Sequence, residues 1–193
     1  MRIIGGRVGG RTLKAPRGAN TRPTSDKVRE AIFNILGNLP YAPAEPPAQV
    51  LDLYAGSGAL GLEALSRGAG RALFVDADGD ACDLVRANAD ALGLPAEVRC
   101  LPVVRWLSKE AGGAFGWIFL DPPYDSHKTG ELEKALELIA KKGLLDAGGV
   151  LVAEHEWRNA PDDRYATLAL FDRRRYGQTA VSFYRHEGQA NAG

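Results

Sequence analysis

The feature that most constrains this chain is Gly56-Ser57-Gly58-Ala59-Leu60-Gly61. It lies between an apolar run, Val50-Leu51-Asp52-Leu53-Tyr54, and a stretch with helical spacing that ends near Arg67. A G-x-G-x-x-G turn between a strand and a helix is the opening of a βα unit, because its glycines permit a tight turn and a close backbone approach to a ligand. From Gln49 onward strands and helices alternate. Strand-like runs cover 72–76, 97–101, 117–120 and 150–154, and helical patterns cover 79–92, 103–110 and 130–142. Repeated βα units predict an α/β fold, a parallel sheet with helices on both faces. Residues 165–171 and 179–185 read as two more strands around 172–178, an antiparallel hairpin at one edge.

Composition narrows the class. At 193 residues the chain is long enough for one full core with a small appendage. It has no apolar run near the ~20 residues of a membrane span and no apolar leader at Met1-Arg2-Ile3-Ile4. Cys82 and Cys100 lack metal-ligand spacing and read as two reduced, buried thiols of a cytoplasmic protein, with no metal expected. His127, His155 and His186 read as loop or surface positions. Formal net charge is zero, but residues 1–29 hold eight basic residues and one acid, a local +7 that leaves −7 on the rest. A basic arm on an acidic body points to an anionic partner for the arm. The arm itself reads as a glycine-linked hairpin, 2–5 with 11–14, then a loop to Pro23. A helix capped within Thr24-Ser25-Asp26 follows, with Val28, Ala31, Ile32, Ile35 and Leu36 as its apolar stripe. A proline-rich linker spans 37–48.

The turn at Gly56 and the acid Asp76, twenty residues on, fit an adenosine-type cofactor. An acid there can accept both ribose hydroxyls, as in a nicotinamide dinucleotide site. Asp52 separates the candidates. A carboxylate inside the first strand repels a pyrophosphate and suits a ligand carrying a sulfonium or ammonium group. The second discriminating feature is Asp121-Pro122-Pro123-Tyr124, directly after the fourth strand. Two prolines fix the chain's path and remove two N–H donors, while the carbonyls stay free to accept. An acid, fixed carbonyl acceptors and a flat ring can hold a planar amino group.

Asp52-Leu53-Tyr54-Ala55-Gly56-Ser57-Gly58 with Asp121-Pro122-Pro123-Tyr124 resembles the class I S-adenosylmethionine-dependent methyltransferases that act on exocyclic amino nitrogens. Met1 to Gly6, Arg22-Pro23-Thr24 and Arg29-Glu30-Ala31-Ile32-Phe33-Asn34-Ile35-Leu36 are similar to the bacterial RsmD family, the 16S rRNA (guanine(966)-N(2))-methyltransferases. Ala31 is a departure, since many relatives carry a larger or polar residue there. The resemblance implies a Rossmann-like fold with a mostly parallel seven-stranded sheet. It implies an N-terminal RNA-binding extension at 1–48, a methyltransferase domain at 49–186 and a flexible tail at 187–193. It implies S-adenosylmethionine as cofactor and a monomer acting on 16S rRNA in an assembling 30S particle. Asp121 and the Pro122 carbonyl would accept the guanine N2 hydrogens, and Tyr124 would stack on the base. Gly56 and Gly58 would approach the cofactor's methionine portion, Asp52 its amino end, and Asp76 with Ala77 the ribose. Tyr54 would wall the pocket, and Pro102 or Val103 would line the adenine. Arg2, Arg7, Arg11 and Arg22 would contact phosphates. Arg29, Glu30 and Asn34 would share a polar helix face that closes over the cofactor or base. Arg173-Arg174-Arg175 reads as a hairpin tip. The alternatives from the residues alone are methylation of an adenine N6 in DNA or RNA, a protein glutamine methyltransferase, an oxidoreductase using NAD, and a non-catalytic RNA-binding module.

Overall fold

The computed structural model describes residues 1–15, 25–39, 46–109, 113, 115–123 and 129–188. Helix α1 spans Asp26–Gly37, and the Ser25 side chain accepts from the Val28 N–H to cap it. The alternation that follows runs β1 (Gln49–Leu53), α2 (Ala59–Ser66), β2 (Arg71–Asp76), α3 (Gly79–Leu92), β3 (Ala96–Cys100), α4 (Val103–Lys109), β4 (Phe115–Leu120), α5 (Glu131–Lys142) and β5 (Leu145–Glu156). Three further strands are β6 (Arg164–Tyr165), β7 (Leu168–Tyr176) and β8 (Thr179–His186).

The strands form one eight-stranded sheet in the order β3-β2-β1-β4-β5-β8-β7-β6. The first five are mutually parallel, and β8, β7 and β6 add on antiparallel. Side chains alternate between the two faces, so each strand feeds two cores. Val50, Phe119, Val152 and Phe183 join α1, α2 and α3 on one side. Leu51, Ile118, Leu151 and Tyr184 join α4 and α5 on the other. Residues buried on both faces explain why these strands read as continuous apolar runs.

The expected seven strands become eight because the run at 165–171 is broken. Ala166 takes φ +46, a left-handed conformation no strand interior allows, and this splits β6 from β7. Arg173, Arg174 and Arg175 are not at the hairpin tip. They lie within β7, and the turn is Gly177-Gln178. Of the histidines expected in loops or at the surface, His155 is a buried strand residue: Ser182 Oγ lies 2.8 Å from its Nε2, and burial pushes its pKa down. His186 belongs to β8, its Nε2 2.9 Å from the Leu145 carbonyl, and His127 lies outside the described residues. Cys82 is buried as expected, but Cys100, on the edge strand β3, is exposed.

The basic N-terminus is fastened to the body. Residues 2 and 12 pair as an antiparallel bridge, and Ile3 and Leu13 are buried in the same apolar cluster as β1 and α2. The fully buried Glu63 of α2 accepts from the Ile4 N–H (2.7 Å), the Gly5 N–H (2.8 Å) and Arg67 Nε (2.7 Å). Ser66 Oγ donates to the Gly5 carbonyl and accepts from the Val8 N–H. Gly6 is required here: at φ +76, a Cβ would lie 2.0 Å from the Ser66 carbonyl oxygen.

Candidate active site

The strand order reverses between β1 and β4, which lie side by side although β2 and β3 separate them in sequence. In an open α/β sheet a ligand crevice forms at the strand C-termini where the order reverses. The cofactor-type turn leaves β1, and the proline turn leaves β4. Their registers match, Leu53 opposite Leu120, and the Asp121 N–H donates to the Leu53 carbonyl across 3.4 Å. Two motifs 65 residues apart in sequence, Gly56 and Asp121, thus open on one crevice.

The turn is held from below and from the side. Gly56 and Gly58 sit at φ +53 and +76, where a side chain would be strained. Asp52 is buried under the turn and accepts from the Gly61 N–H at 2.8 Å. Gly61 is a packing glycine, since a Cβ there would stand 2.4 Å from the Phe74 ring. Asp76 accepts from the Gly56 N–H through Oδ2 (2.8 Å) and from the Asp78 N–H through Oδ1 (2.9 Å). Each oxygen retains a second lone pair for a hydroxyl donor.

Electrostatics at the crevice are dominated by acids. Burial pushes the Asp52 carboxyl well above the usual carboxylate range, the Gly61 N–H opposes the shift, and Asp121 and Asp76 push it up further. Three interacting carboxylates disfavour a pyrophosphate and fit a cationic ligand. That is the property S-adenosylmethionine would need, and Asp52, Asp76, Gly56 and Gly58 are the residues that could hold it. Tyr54, at the end of β1, adopts φ +59, and its hydroxyl is buried with no hydrogen-bond partner among the described residues. Burial raises its pKa, helped by Glu131 and Asp76. The structure thus holds a strained aromatic, its hydroxyl unpaired among the described residues, directly after β1.

The remaining expected residues fall in several places. Pro122 is buried and Ala77 is exposed at the rim beyond β2. Pro102 is exposed, and its carbonyl accepts from the Trp106 N–H as α4 begins. Val103 is buried in the apolar cluster with Val75 and Leu120. Tyr124 and Arg22 lie outside the described residues. Arg2, Arg7 and Arg11 are exposed on the hairpin, with Arg2 3.7 Å from Asp26 and Arg11 donating to the Ala91 carbonyl. Asn34 and Glu30 are exposed on α1.

Arg29 needs correction. It does not share that exposed face: its side chain is fully buried and donates to the Arg2 carbonyl and Asp26 Oδ1. Burial pushes its guanidinium pKa down, while Asp26 and Glu63 oppose the shift. A guanidinium enclosed in this way braces the hairpin from inside and cannot meet a phosphate at the surface.

Two polar residues that matter were not read from the sequence. Glu63 is described above. Asn88 of α3 is buried and donates to the Ser57 carbonyl of the turn and the Lys14 carbonyl of the hairpin, and its Oδ1 accepts from the Lys14 N–H. Met1 adds a contact, its sulfur 3.3 Å from Ser57 Oγ. The signal was present: Asn88 shares the apolar stripe of Val85, Ala89 and Leu92, and Glu63 is the lone charge in Ala59–Ser66.

The match with known proteins spans nearly the whole chain, residues 1–185, against the family model described as Conserved hypothetical protein 95. The chain belongs to that family. Among its relatives, YlbH of Bacillus subtilis strain 168, provisionally named an rRNA methyltransferase, is 41% identical over 97% of this chain and 100% of its own length. Ribosomal RNA small subunit methyltransferase D of Escherichia coli K12 is 35% identical over 100% of this chain and 93% of its own. The solved structure of yhhF from Escherichia coli, provisionally described as a methyltransferase, superposes with a TM-score of 0.83 at 35% identity, covering 98% and 99% of the two chains. The family expected from the motifs and the Rossmann-like fold are therefore found. No described helix is long and apolar enough to cross a membrane.

Proposed function

We propose that this chain transfers a methyl group from S-adenosylmethionine to the exocyclic N2 of a guanine in 16S rRNA, at the position-966 type of site. The activity is that of an rRNA methyltransferase, in keeping with family membership and the names of its full-length relatives. The observation that carries the reading is the junction of the two turns, Asp121 hydrogen-bonded to the end of β1 beside the Gly56 turn. The cofactor, when bound, supplies an electrophilic methyl on a sulfonium.

The chain's own task is to present the nitrogen. The guanine N2 lone pair is delocalised into the ring, so the amino group is a poor nucleophile until it is oriented. The Asp121 carboxylate and the Pro122 carbonyl accept its two hydrogens. Pro123 fixes the path of the turn that carries them. Holding two reactants in line contributes up to ~7–11 kcal/mol. Tyr124 stacks on the flipped base, which is worth ~1–3 kcal/mol. Asp52 balances positive charge on the cofactor's amino end, and Asp76 and Ala77 face its ribose. An acid and a proline carbonyl would hold an adenine amino group equally well, so the preference for guanine rests on the family.

Arg2 and Lys14 are brought near this crevice because Asn88 and Met1 fasten that end of the hairpin to the turn, while Arg7 and Arg11 lie at its other end, against the last turns of α2 and α3. This supports RNA, rather than a protein, as the substrate. We place the reaction in the cytoplasm, on 16S rRNA in an assembling 30S particle, by a monomer. Asp121→Ala should lower turnover by a factor on the order of 100 or more. Calorimetry with S-adenosylhomocysteine should show cofactor-site affinity within about threefold of wild type, roughly 0.7 kcal/mol. Undiminished turnover would remove Asp121 from its role. Primer extension and mass spectrometry of 16S rRNA from a strain lacking the gene should show the methylguanine missing; its persistence would remove the substrate assignment.

A further inference from the structure

Four of the basic residues left unused by this reading are near the turn of the antiparallel hairpin β7–β8. Outside residues 1–29 the chain carries −7, yet Arg158, Arg173, Arg174 and Arg175 converge here. Arg173 is turned inward, bonded to Ser182 Oγ, the Pro161 carbonyl and Asp163. Arg174 pairs with Asp172. Arg175 and Arg158 are exposed, and Arg175 is held in place by its Nε donating to the Gly177 carbonyl.

Beside them is Trp157. Among the described residues it is the large apolar side chain left exposed, at 39%. Its backbone is pinned by a 2.8 Å bond from its N–H to the Gln178 carbonyl, and the Arg175 guanidinium stands 5.1 Å from its ring centroid. An indole and a guanidinium already stacked, next to a second exposed arginine, is the kind of surface on which unpaired bases stack and phosphates pair.

Its position relative to the crevice is fixed by register. Leu120 of β4 is opposite Ala153 of β5, so Asp121 is level with Glu154. Trp157 directly follows Glu156, the last residue of β5, and opens a short 3-10 turn; three residues past Glu154, it stands about 10 Å beyond Asp121 in the strand direction at ~3.3 Å per residue. The patch therefore rises above the same rim onto which the base pocket opens, one strand away. The hairpin arginines of the N-terminus are carried by α2 and α3, under the opposite half of the sheet, next to β1 and β2.

We infer that Trp157, Arg158 and Arg175 form a second RNA-contact surface, a stacking and phosphate-pairing patch for single-stranded nucleotides flanking the methylated base. The inference rests on the RNA substrate proposed above. RNA then spans the crevice, held by Arg2 and Lys14 on one side and by this patch on the other.

The test uses the full chain with transcribed 16S rRNA and, separately, with assembled small subunits. Trp157→Ala should weaken rRNA binding about tenfold, and Trp157→Phe, which keeps a stacking ring, should stay within about threefold of wild type. Arg158→Gln with Arg175→Gln should lower the slope of log affinity against log salt by about 1.4, two phosphates at ~0.7 each. Affinity for S-adenosylhomocysteine and the melting temperature should match wild type in the arginine variant, which separates lost contacts from lost folding. Wild-type affinity and salt slope in both variants would overturn the inference while leaving the methyltransferase reading intact. A defect seen on small subunits with naked rRNA binding unchanged would assign the patch to a protein and likewise overturn it. If wild type binds S-adenosylhomocysteine but neither binds nor methylates rRNA, the substrate itself is wrong and this inference fails with it.

Discussion

Removing the carboxylate of Glu63 should release the N-terminal hairpin. The Glu63 carboxylate is fully buried and accepts three hydrogen bonds at 2.7–2.8 Å, two of them from the backbone of Ile4 and Gly5. Hydrogen bonds to a charged acceptor contribute about 1.5–3 kcal/mol each. Glu63→Ala leaves two backbone donors and the Arg67 guanidinium without that acceptor. Breaking a buried ion pair from one side costs about 3–5 kcal/mol. The chain can limit the penalty by lifting the hairpin into water, but Ile3 and Leu13 are then exposed, at about 1.5–3 kcal/mol each. The two routes give losses of about 3–5 and about 3–6 kcal/mol, a large part of the ~5–15 kcal/mol stability of a typical domain. Urea unfolding reads the loss. Amide exchange at Ile4, Gly5 and Val8 tells the routes apart: fast exchange marks a detached hairpin, and the unfolding slope then falls because less surface is buried in the native state. A loss under about 1 kcal/mol with wild-type protection at those amides would refute the reasoning. Glu63→Gln, which keeps one acceptor oxygen, should fall between the two.

Two further substitutions probe other parts of the chain. Asp52 has its folded-state pKa raised, chiefly by burial, so its ionisation opposes folding: stability declines as pH rises from the ordinary carboxylate range through the folded pKa. Asp52→Asn keeps an acceptor for the Gly61 N–H, so at pH 7 the ligand-free protein should melt higher than wild type while S-adenosylhomocysteine binds more weakly; a lower melting temperature at pH 7 would contradict the assignment. Ala166→Gly should stabilise by roughly 0.5–1 kcal/mol, since relief of a left-handed alanine worth ~1–2 kcal/mol exceeds glycine's added chain entropy; chemical denaturation showing a loss would sink it.

The legible parts of this fold were those with a strong period. Helix α3 has the bounds 79–92 expected from its spacing and the glycine at 93, and the turn, its acid at Asp76 and the proline turn fall where βα alternation places them. Long-range polar contacts left a weaker mark. Arg29 reads as surface because it neighbours Lys27 and Glu30, yet a helix turns 100° per residue and carries it inward between Val28 and Ile32. Glu63 and Asn88 were legible only as polar residues on apolar stripes; their partners in the hairpin lie 58–74 residues away, and no local pattern encodes those distances. Strand β5 runs to Glu156 because β8 pairs with it beyond the end of β4, an effect of a strand made later in the chain. Ala166 carries none of the usual glycine or asparagine signal for a left-handed residue, so the eighth strand was hidden.

The hairpin's anchors also set an order of assembly. Ile4 and Gly5 need Glu63, and Lys14 needs Asn88, so the first fifteen residues have no seat until the chain through α3 has been made and folded. During synthesis the basic segment emerges before its partners and stays unpaired through the making of more than seventy further residues. Those contacts raise the contact order of an otherwise local βα start, which slows their formation relative to the βα core. Docking of the amino-terminal hairpin is then a late step in folding, and a chain stalled before it would hold a formed cofactor turn without Met1 and Lys14 fastened beside it.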